Sequence, residues 1–292
     1  MALVPAFTFV ATAAAVEQCG YRPYLLDIDA ESWILDPERL AGHPALDQVG
    51  LAVPVAPFGR PVPQADWQAF RNETGIQVVI DGAAGFDRLA ETPDRFLGDI
   101  PVAISFHATK CFATGEGGCV ASNDTHLALR IAQALNFGFH MTRESRSAAI
   151  NGKMSEYHAA VGLAEFDGWP QKQLALEVVL DSYRRRLDDA GLAGRLVATP
   201  DIGASYVLFR CKDAAEADRV QRSLTRSKVD YRLWYGRGLH HHASFAELPR
   251  DQLDVTEELA PCLLGMPLAP DLPEAAVAAV VNALAHGLED RA

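Results

Sequence analysis

Short apolar segments alternate with helix-like stretches along the first half of the chain, and this alternation is the feature that most constrains the fold. The segments are apolar on both faces, which is typical of buried strands in a mainly parallel sheet. They cover residues 24–26, 49–55, 76–80, 101–106 and 119–121. Helices are predicted between them at residues 11–18, 63–72 and 124–134. The pattern predicts an α/β domain in which helices flank the sheet.

The second half of the chain shows a different pattern. One helical stretch runs from residue 155 to about residue 190, and we expect a break or bend at residues 168–170 because Pro170 lacks a backbone N–H. Further along, strands are predicted at residues 206–209 and 230–234, and helices at residues 214–227, 254–264 and 273–288. We therefore expect a large α/β domain in residues 1–169 and a smaller α+β domain in residues 170–292.

Charge and composition exclude several classes of function. Across 292 residues the net charge is −12 and the isoelectric point about 5.2, so the chain lacks the basic face that sequence-independent nucleic-acid binding needs. A small anionic ligand in a local basic pocket is compatible with this charge. No apolar run approaches the ~20 residues of a membrane helix. Residues 1–15 are apolar, but the first basic residue is Arg22, so we interpret them as folded core rather than a signal peptide.

The cysteines indicate a reducing compartment. No two of them form a C-x-x-C pair, and their number is odd. They are Cys19, Cys111, Cys119, Cys211 and Cys262. Scattered cysteines of this kind suit a reduced cytosolic protein better than a disulfide framework or a zinc site, so we predict a cytoplasmic location.

The segment most informative about chemistry covers residues 105–110, which read SFHATK, and residues 115–118, which read GEGG. It follows a predicted buried strand, and ligands in open α/β sheets bind beyond the carboxyl ends of strands. Burial there would lower the pKa of Lys110, and its neutral amine can condense with a carbonyl group. Ser105 and nearby amides can bind a phosphate, and the glycines allow a tight turn. The same residues are also typical of a surface lysine beside a glycine turn.

Asp81 strengthens the first of these interpretations. It ends the apolar strand predicted at residues 76–80, and the small residues 82–85 follow it. A carboxylate at a strand end with space around it suits an ion pair with the protonated ring nitrogen of pyridoxal phosphate. An aspartate that caps the next turn is the alternative. An aspartate and a lysine at two strand ends of one α/β domain are more specific together than either is alone.

Several motifs in order give the chain a family resemblance. They are PAFTFVAT at residues 5–12, VIDGAA at 79–84, SFHATK at 105–110 with EGG at 116–118, NGKMSE at 151–156, LHHHASF at 239–245 and LGMPL at 264–268. With them the sequence resembles the DegT/StrS-type sugar aminotransferases, which are pyridoxal-phosphate enzymes of the aspartate-aminotransferase fold (fold type I). The resemblance covers most of the chain.

This resemblance implies roles for five residues at the cofactor. Lys110 would bind the cofactor covalently and then shuttle the reacting proton. Asp81 would pair with the pyridine nitrogen, Phe9 would stack on the ring, and Ser105 would bind the phosphate. Ala84 lies where many members carry a Gln or His that contacts the 3′-oxygen. For Phe9, packing in the core is an equally strong interpretation.

The resemblance also implies a homodimer with a shared site. Asn151 and Lys153 would reach the cofactor phosphate in the partner subunit. The alternative for Asn151 is a turn residue before a helix, because Ser155 and Glu156 follow it.

Substrate residues are implied less firmly. The resemblance suggests Arg232, Tyr235 and His240, together with His107, for which packing is an equal alternative. Arg143, Arg146, Arg232 and Arg237 are candidates for substrate phosphates, with solvated surface arginine as the alternative for each. No metal is expected at residues 240–242, because adjacent histidines do not share a face and no carboxylate cluster lies beside them in the sequence.

The function implied by the resemblance is amino transfer, typically from glutamate, to a keto group of a nucleotide-linked deoxysugar, as in amino sugar and polysaccharide biosynthesis. The presence of Lys110 favours this over the branch of the family that lacks the lysine and acts as a dehydratase. The sequence begins at the P-x-x-T-F segment, whereas members usually carry an earlier Gly-Thr/Ser-Ala turn that binds phosphate. We therefore expect weak cofactor retention, with a non-catalytic or regulatory truncated paralogue as the alternative.

Overall fold

A computed structural model of the chain describes residues 1–197 and 206–289. It divides into a first unit, Met1–Leu35 with Trp169–Ala292, and a second unit, Asp36–Gly168. The helices and strands are, in chain order, β1 Ala2–Pro5, α1 Val10–Gln18, β2 Pro23–Leu26, α2 Pro37–Ala41, β3 Leu51–Ala52, α3 Gln64–Thr74, β4 Gln77–Val78, β5 Ile80–Asp81, α4 Phe86–Glu91, α5 Pro93–Phe96, β6 Val102–Ser105, β7 Gly118–Ala121, α6 Thr125–Ala134, α7 Glu156–Asp189, β8 Val207–Arg210, α8 Ala214–Arg226, α9 Asp254–Leu259, β9 Leu263–Met266 and α10 Glu274–Glu289. The predicted domains 1–169 and 170–292 stay a prediction.

Parallel pairing dominates the strands of the first half. In the first unit β1 pairs with β2, and in the second unit β3 pairs with β4 and β5 with β6, all in parallel. Only β7, which pairs with β6, runs antiparallel there. These pairings confirm the predicted mainly parallel sheet. No helix within residues 1–197 or 206–289 is both long and apolar enough to cross a membrane.

The burial of β1 matches the sequence prediction, whereas that of β7 does not. All four residues of β1 are buried, as expected for the apolar start of the chain. By contrast, Gly118, Cys119 and Val120 of β7 are exposed, so the prediction of a buried strand there is wrong. The physical reason is position, since β7 is the edge of the sheet β5-β6-β7 and pairs on one side only.

The long helix α7 corrects a second prediction. It runs without a break from Glu156 to Asp189 and contains Pro170. A proline inside a helix removes one backbone hydrogen bond, and the other turns of this long helix keep theirs. Buried side chains along its C-terminal half, including Val179, Leu180 and Leu187, hold that part against the core of the first unit.

The region after α8 corrects two more predictions. Residues 230–234 do not form a strand, because only Arg232 pairs, through mutual backbone hydrogen bonds with Gly265, before a turn begins at Leu233. The helix predicted at residues 254–264 ends at Leu259, since Pro261 cannot continue it. Residues 263–266 instead form β9, which pairs with β8 in antiparallel register.

The core of the first unit lies between the β8–β9 pair and three helices, α7, α8 and α10. Phe209 of β8, Leu264 of β9 and Tyr183 of α7 are fully buried in it. Helices α8 and α10 approach closely, because a Cβ at Gly287 would lie 2.7 Å from the Cα of Val220. This packing places β9 and α9 of the first unit on a rigid support.

Two leucines on α7 test this core. Leu187 is 1% exposed and Leu174 is 69% exposed. We expect Leu187→Ala to lower the free energy of unfolding by about 2–5 kcal/mol, because it removes buried apolar surface and leaves a cavity. The matched control Leu174→Ala should change it by less than about 0.5 kcal/mol. Urea unfolding of both variants measures the difference, and equal losses would contradict the assigned core.

Candidate functional site

The backbone around Asp81 fixes where its carboxylate lies. Strand β5 is paired on both sides, because Asp81 N donates to Pro54 O and Ile80 N donates to Pro101 O, each at 2.9 Å. Opposite Asp81 in the β5–β6 register stands Ala103. The strand end is therefore held from two directions, and the carboxylate projects from a fixed backbone.

Gly82 allows the chain to leave the sheet directly after Asp81. Its N–H donates to Ala103 O at 2.9 Å, and a Cβ there would lie 2.5 Å from Cγ1 of Val102. A side chain would force the two strands apart, so this approach needs glycine. The Asp81 side chain then closes the turn, with Oδ1 accepting from Ala83 N at 3.0 Å.

Lys110 lies in a hairpin loop that joins β6 to β7. Backbone hydrogen bonds cross the loop from Phe106 N to Gly117 O, from Ala108 N to Gly115 O and from Thr114 N to Phe106 O. Lys110 N donates to His107 O at 2.9 Å, which makes a turn at the tip. These bonds give the loop a defined shape.

Two phenylalanines of this loop, Phe106 and Phe112, pack with Phe86 of α4. Phe86 of α4 stacks on Phe112 with ring centroids 3.9 Å apart, and Phe106 meets both rings edge-on. Phe106 and Phe112 lie on either side of Lys110 in the sequence. The lysine is thereby flanked by apolar rings on both arms of the loop.

The Lys110 amine responds to two opposing effects. Burial lowers its pKa, whereas the charges of Asp81 and Cys111 raise it, and burial dominates, so the pKa lies below the ordinary value of 10.5. Asp81 and Lys110 are thus electrostatically coupled, as the predicted site requires. A half-buried amine with a lowered pKa is a better nucleophile than an exposed lysine.

Ser105, His107 and Ala84 surround this pair. The Ser105 Oγ accepts from His107 N at 3.2 Å, and its own proton has no acceptor within the described part of the chain. His107 is exposed; its Nδ1 lies 3.0 Å from Thr109 Oγ1, and its Nε2 lies 3.6 Å from Glu116. Ala84 is half-buried in the turn after Asp81. His107 is therefore not a core residue, and Ser105 can donate to a ligand.

Asn151 and Lys153 form an exposed pair in the second unit. Lys153 Nζ donates to Asn151 Oδ1 at 2.8 Å and lies 4.2 Å from the centroid of the Phe137 ring. The pairing holds both polar groups together on a surface that water reaches. Asn151 also makes a backbone bridge with Asn136, so it is more than a residue preceding a helix.

Of the other predicted residues, Arg143 and Arg146 are exposed in the second unit, and the rest belong to the first unit. Phe9 is 57% exposed at the start of α1, so the alternative that it packs in the core is wrong. Tyr235 packs edge-on against Phe7 at 4.9 Å, and Arg232 is exposed. The roles predicted for Phe9, Arg232 and Tyr235 stay predictions.

A cluster that the sequence analysis missed surrounds His240. Its Nε2 lies 2.7 Å from Glu257 Oε1, and the Nε2 of His241 lies 3.1 Å from Glu257 Oε2. No carboxylate cluster lies beside these histidines in the sequence, and α9 brings Glu257 to them from a later part of the chain. Burial raises the pKa of Glu257, but hydrogen bonds from His241 and His240 outweigh it, so the pKa lies below its ordinary value. No spacing rule in the sequence signals this contact.

Comparison with known proteins adds to this geometry. The model of the DegT/DnrJ/EryC1/StrS aminotransferase family matches residues 1–285. Protein Rv3402c of Mycobacterium tuberculosis (strain ATCC 25618 / H37Rv) is 34% identical, over 98% of this chain and 72% of that protein. The dTDP-3-amino-3,4,6-trideoxy-alpha-D-glucose transaminase of Streptomyces venezuelae is 25% identical, over 98% of this chain and 76% of its own length.

Solved structures agree with the fold. The crystal structure of DesI in the presence of its TDP-sugar product is 28% identical, covers 99% of this chain and 75% of that chain, and superposes with a TM-score of 0.84. Its agreement with the parallel strand pairs and flanking helices described above confirms the predicted fold class.

The coupling between Asp81 and Lys110 can be tested directly. Asp81→Asn keeps an oxygen for the Ala83 N–H but removes the negative charge that raises the pKa of Lys110. We expect the pKa of Lys110 to fall further, so a larger fraction of the amine is neutral at a given pH. Competitive acylation read by mass spectrometry should place the reactivity midpoint of Lys110 at a lower pH in the variant. The exposed Lys212 is the internal control, and an unchanged or higher midpoint at Lys110 would contradict the coupling.

Proposed function

We propose that this chain transfers an amino group, because it belongs to the DegT/DnrJ/EryC1/StrS aminotransferase family, whose cofactor is pyridoxal 5′-phosphate. The observation that carries the proposal is the Lys110 amine, whose pKa burial lowers while the Asp81 carboxylate interacts with it. As donor we propose glutamate, and as acceptor a keto group on a nucleotide-linked deoxysugar. The relative named as a dTDP-3-amino-3,4,6-trideoxy-alpha-D-glucose transaminase and the structure solved with a TDP-sugar product support this acceptor class.

The residues of the second unit fit the cofactor. A pyridoxal phosphate needs an amine for its aldehyde, a carboxylate for its ring nitrogen and donors for its phosphate. Lys110 supplies the amine, Asp81 the carboxylate, and Ser105 a hydroxyl proton that is free among the described residues. The small side chain of Ala84 leaves room beside Asp81. All four belong to one compact unit.

Each residue then has a physical task in the reaction. When bound, the cofactor supplies an electron sink that lets the proton on the substrate Cα leave. Lys110 would accept that proton at Nζ and hold it for return to the product, which its lowered pKa favours. Asp81 would keep a proton on the ring nitrogen, and Ser105 would orient the phosphate.

Substrate contacts are proposed from exposure and chemistry. His107 is exposed beside the lysine loop and offers a ring nitrogen to a polar substrate group. Arg232 is exposed and offers a guanidinium for phosphate. Phe9, whose ring is exposed, keeps the cofactor-stacking role that the family resemblance implies. Tyr235 and His240 are kept as substrate residues from the family resemblance. We place the reaction in the cytoplasm, as the scattered free cysteines predict.

A homodimer is part of this proposal. Large apolar side chains are unusually exposed in the second unit from residue 120 to residue 166. They are Val120, Leu129, Phe137, Met141, Ile150, Tyr157, Leu163 and Phe166. Exposed apolar surface of this kind is typical of a protein interface. Asn151 and Lys153 lie in the same stretch, which supports their reaching the phosphate of a partner subunit across a two-fold axis.

Lys110 gives the decisive test of the function. Wild-type protein with excess pyridoxal phosphate should show a visible absorption band, and borohydride should fix the cofactor's mass on Lys110. Lys110→Ala should lose both, and its amino transfer from glutamate should fall by at least about 10²–10⁴-fold, since the proton-moving group is gone.

The matched control is Lys212→Ala, which changes an exposed lysine at the start of α8 and should behave as wild type. A non-catalytic protein would show no band in any variant. A band that survives in Lys110→Ala would exclude Lys110 as the attachment point.

The dimer has its own test. Ile150 is 64% exposed and stands next to Asn151. We expect Ile150→Asp to raise the dimer dissociation constant at least about tenfold, because it buries a charge in an apolar interface. Sedimentation velocity over a concentration series measures this, with the exposed Asn282→Asp on α10 as control. A wild-type chain that stays monomeric throughout the series would refute the shared site.

A further inference from the structure

His240, His241 and Glu257 bring two imidazoles and a carboxylate to one point of the first unit. One ligand-type atom from each residue lies within 4.8 Å of the other two. His240 is buried, whereas the side chains of His241 and Glu257 are 38% and 49% exposed. One side of the cluster therefore faces the protein interior and the other faces water.

Backbone contacts hold the histidines in place. The turn that carries them begins at Gly238, whose φ of +98° favours glycine, and a Cβ there would lie 2.8 Å from Cε1 of His240. Leu239 N donates to Ala6 O at 2.8 Å, which ties the turn to the end of β1. The position of His240 is thus set by the fold and does not depend on its own hydrogen bond.

A separate anchor holds Glu257. Asp27, at the end of β2, accepts from Val255 N at 2.7 Å, from Thr256 N at 2.9 Å and from Thr256 Oγ1 at 2.7 Å. These bonds fix the first turn of α9, in which Glu257 N donates to Leu253 O. Both halves of the cluster are therefore fixed to the β1–β2 pair, which is the preorganisation that a metal site needs.

The hydrogen bonding of His240 shows which of its ring nitrogens contacts the other residues of the cluster. Nδ1 is buried and has no partner within residues 1–197 and 206–289. Nε2 is therefore the ring atom engaged in the cluster, through Glu257. Hydrogen bonds among the three residues leave this buried nitrogen unsatisfied.

We propose that Nε2 of His240, Nε2 of His241 and the Glu257 carboxylate bind one divalent cation of the zinc class, with the fourth position open to water. Two histidines and one glutamate are an established ligand set for zinc that keeps an open position. The N···O separations of 2.7 and 3.1 Å are shorter than the roughly 3.3 Å between ligands of a tetrahedral zinc, so the carboxylate must move away from both rings to admit the ion. The inference does not depend on the amino-transfer reaction.

The ligand chemistry also sets selectivity and affinity. Imidazole nitrogens favour Zn²⁺, Ni²⁺ and Co²⁺ over Mg²⁺ and Ca²⁺, which prefer all-oxygen sites. A metal bound at Nε2 requires the ring proton of His240 to be on Nδ1. That atom has no hydrogen-bond acceptor among the described residues. Because this second contact normally strengthens a histidine ligand, we expect micromolar rather than nanomolar affinity.

Equilibrium dialysis of the full, untagged chain against Zn²⁺ alone tests the site. Wild type should bind one Zn²⁺ per chain, and Mg²⁺ in excess should not compete. His241→Ala and Glu257→Gln each remove a ligand and should weaken binding at least about 100-fold. Both changes are at exposed side chains, so circular dichroism should confirm an intact fold. His242→Ala, which alters an exposed histidine outside the cluster, is the matched control and should bind as wild type.

Two results would overturn the proposal. Wild type that binds no stoichiometric Zn²⁺ at millimolar concentration would identify the cluster as a hydrogen-bonded clamp. Equal Zn²⁺ binding by wild type, His241→Ala and Glu257→Gln would place the metal elsewhere, for example on the exposed Cys19 or Cys119 thiols.

Discussion

The parallel pairing of β5 with β6 is the constraint on which the candidate site depends. The register sets Asp81 opposite Ala103, and the N–H of Gly82 bonds to the carbonyl of that same residue. Because the strands run in the same direction, the carboxylate and the lysine loop leave the sheet at the same edge. Displacing this register by one residue would turn Asp81 to the other face and separate it from the amine.

The chemistry of Lys110 then follows from a balance of two effects. Burial acts against the charged amine, and the Asp81 carboxylate acts in its favour, with burial the larger. A larger contribution from the carboxylate would favour the ammonium form, which is not a nucleophile. In the proposed function, Asp81 would also supply the counter-charge of the pyridine nitrogen. Phe106 and Phe112, in the same loop as Lys110, pack edge-on against each other.

Local patterns predicted most of the elements that position this site. The apolar run at residues 101–106 and the small residues after Asp81 are signals within a few positions of the groups they place. Prediction failed where pairing is long-range. The sequence pattern predicts that the helix beginning at residue 254 continues to residue 264. Residues 263–266 are instead a strand, because they pair with β8, which lies more than fifty residues earlier in the sequence. The exposure of β7 likewise depends on its place at a sheet edge, which no property of its own sequence shows.

The cluster around His240 shows the same limit in a site. Adjacent histidines point in different directions along an extended chain, which argues against a shared metal. A single turn of 3₁₀-helix at Leu239–His241 changes this, because it allows both rings to reach one carboxylate. That carboxylate comes from α9, whose first turn is fixed by Asp27 at the end of β2. Strand β2, through Asp27, therefore also determines whether His240, His241 and Glu257 act as one site.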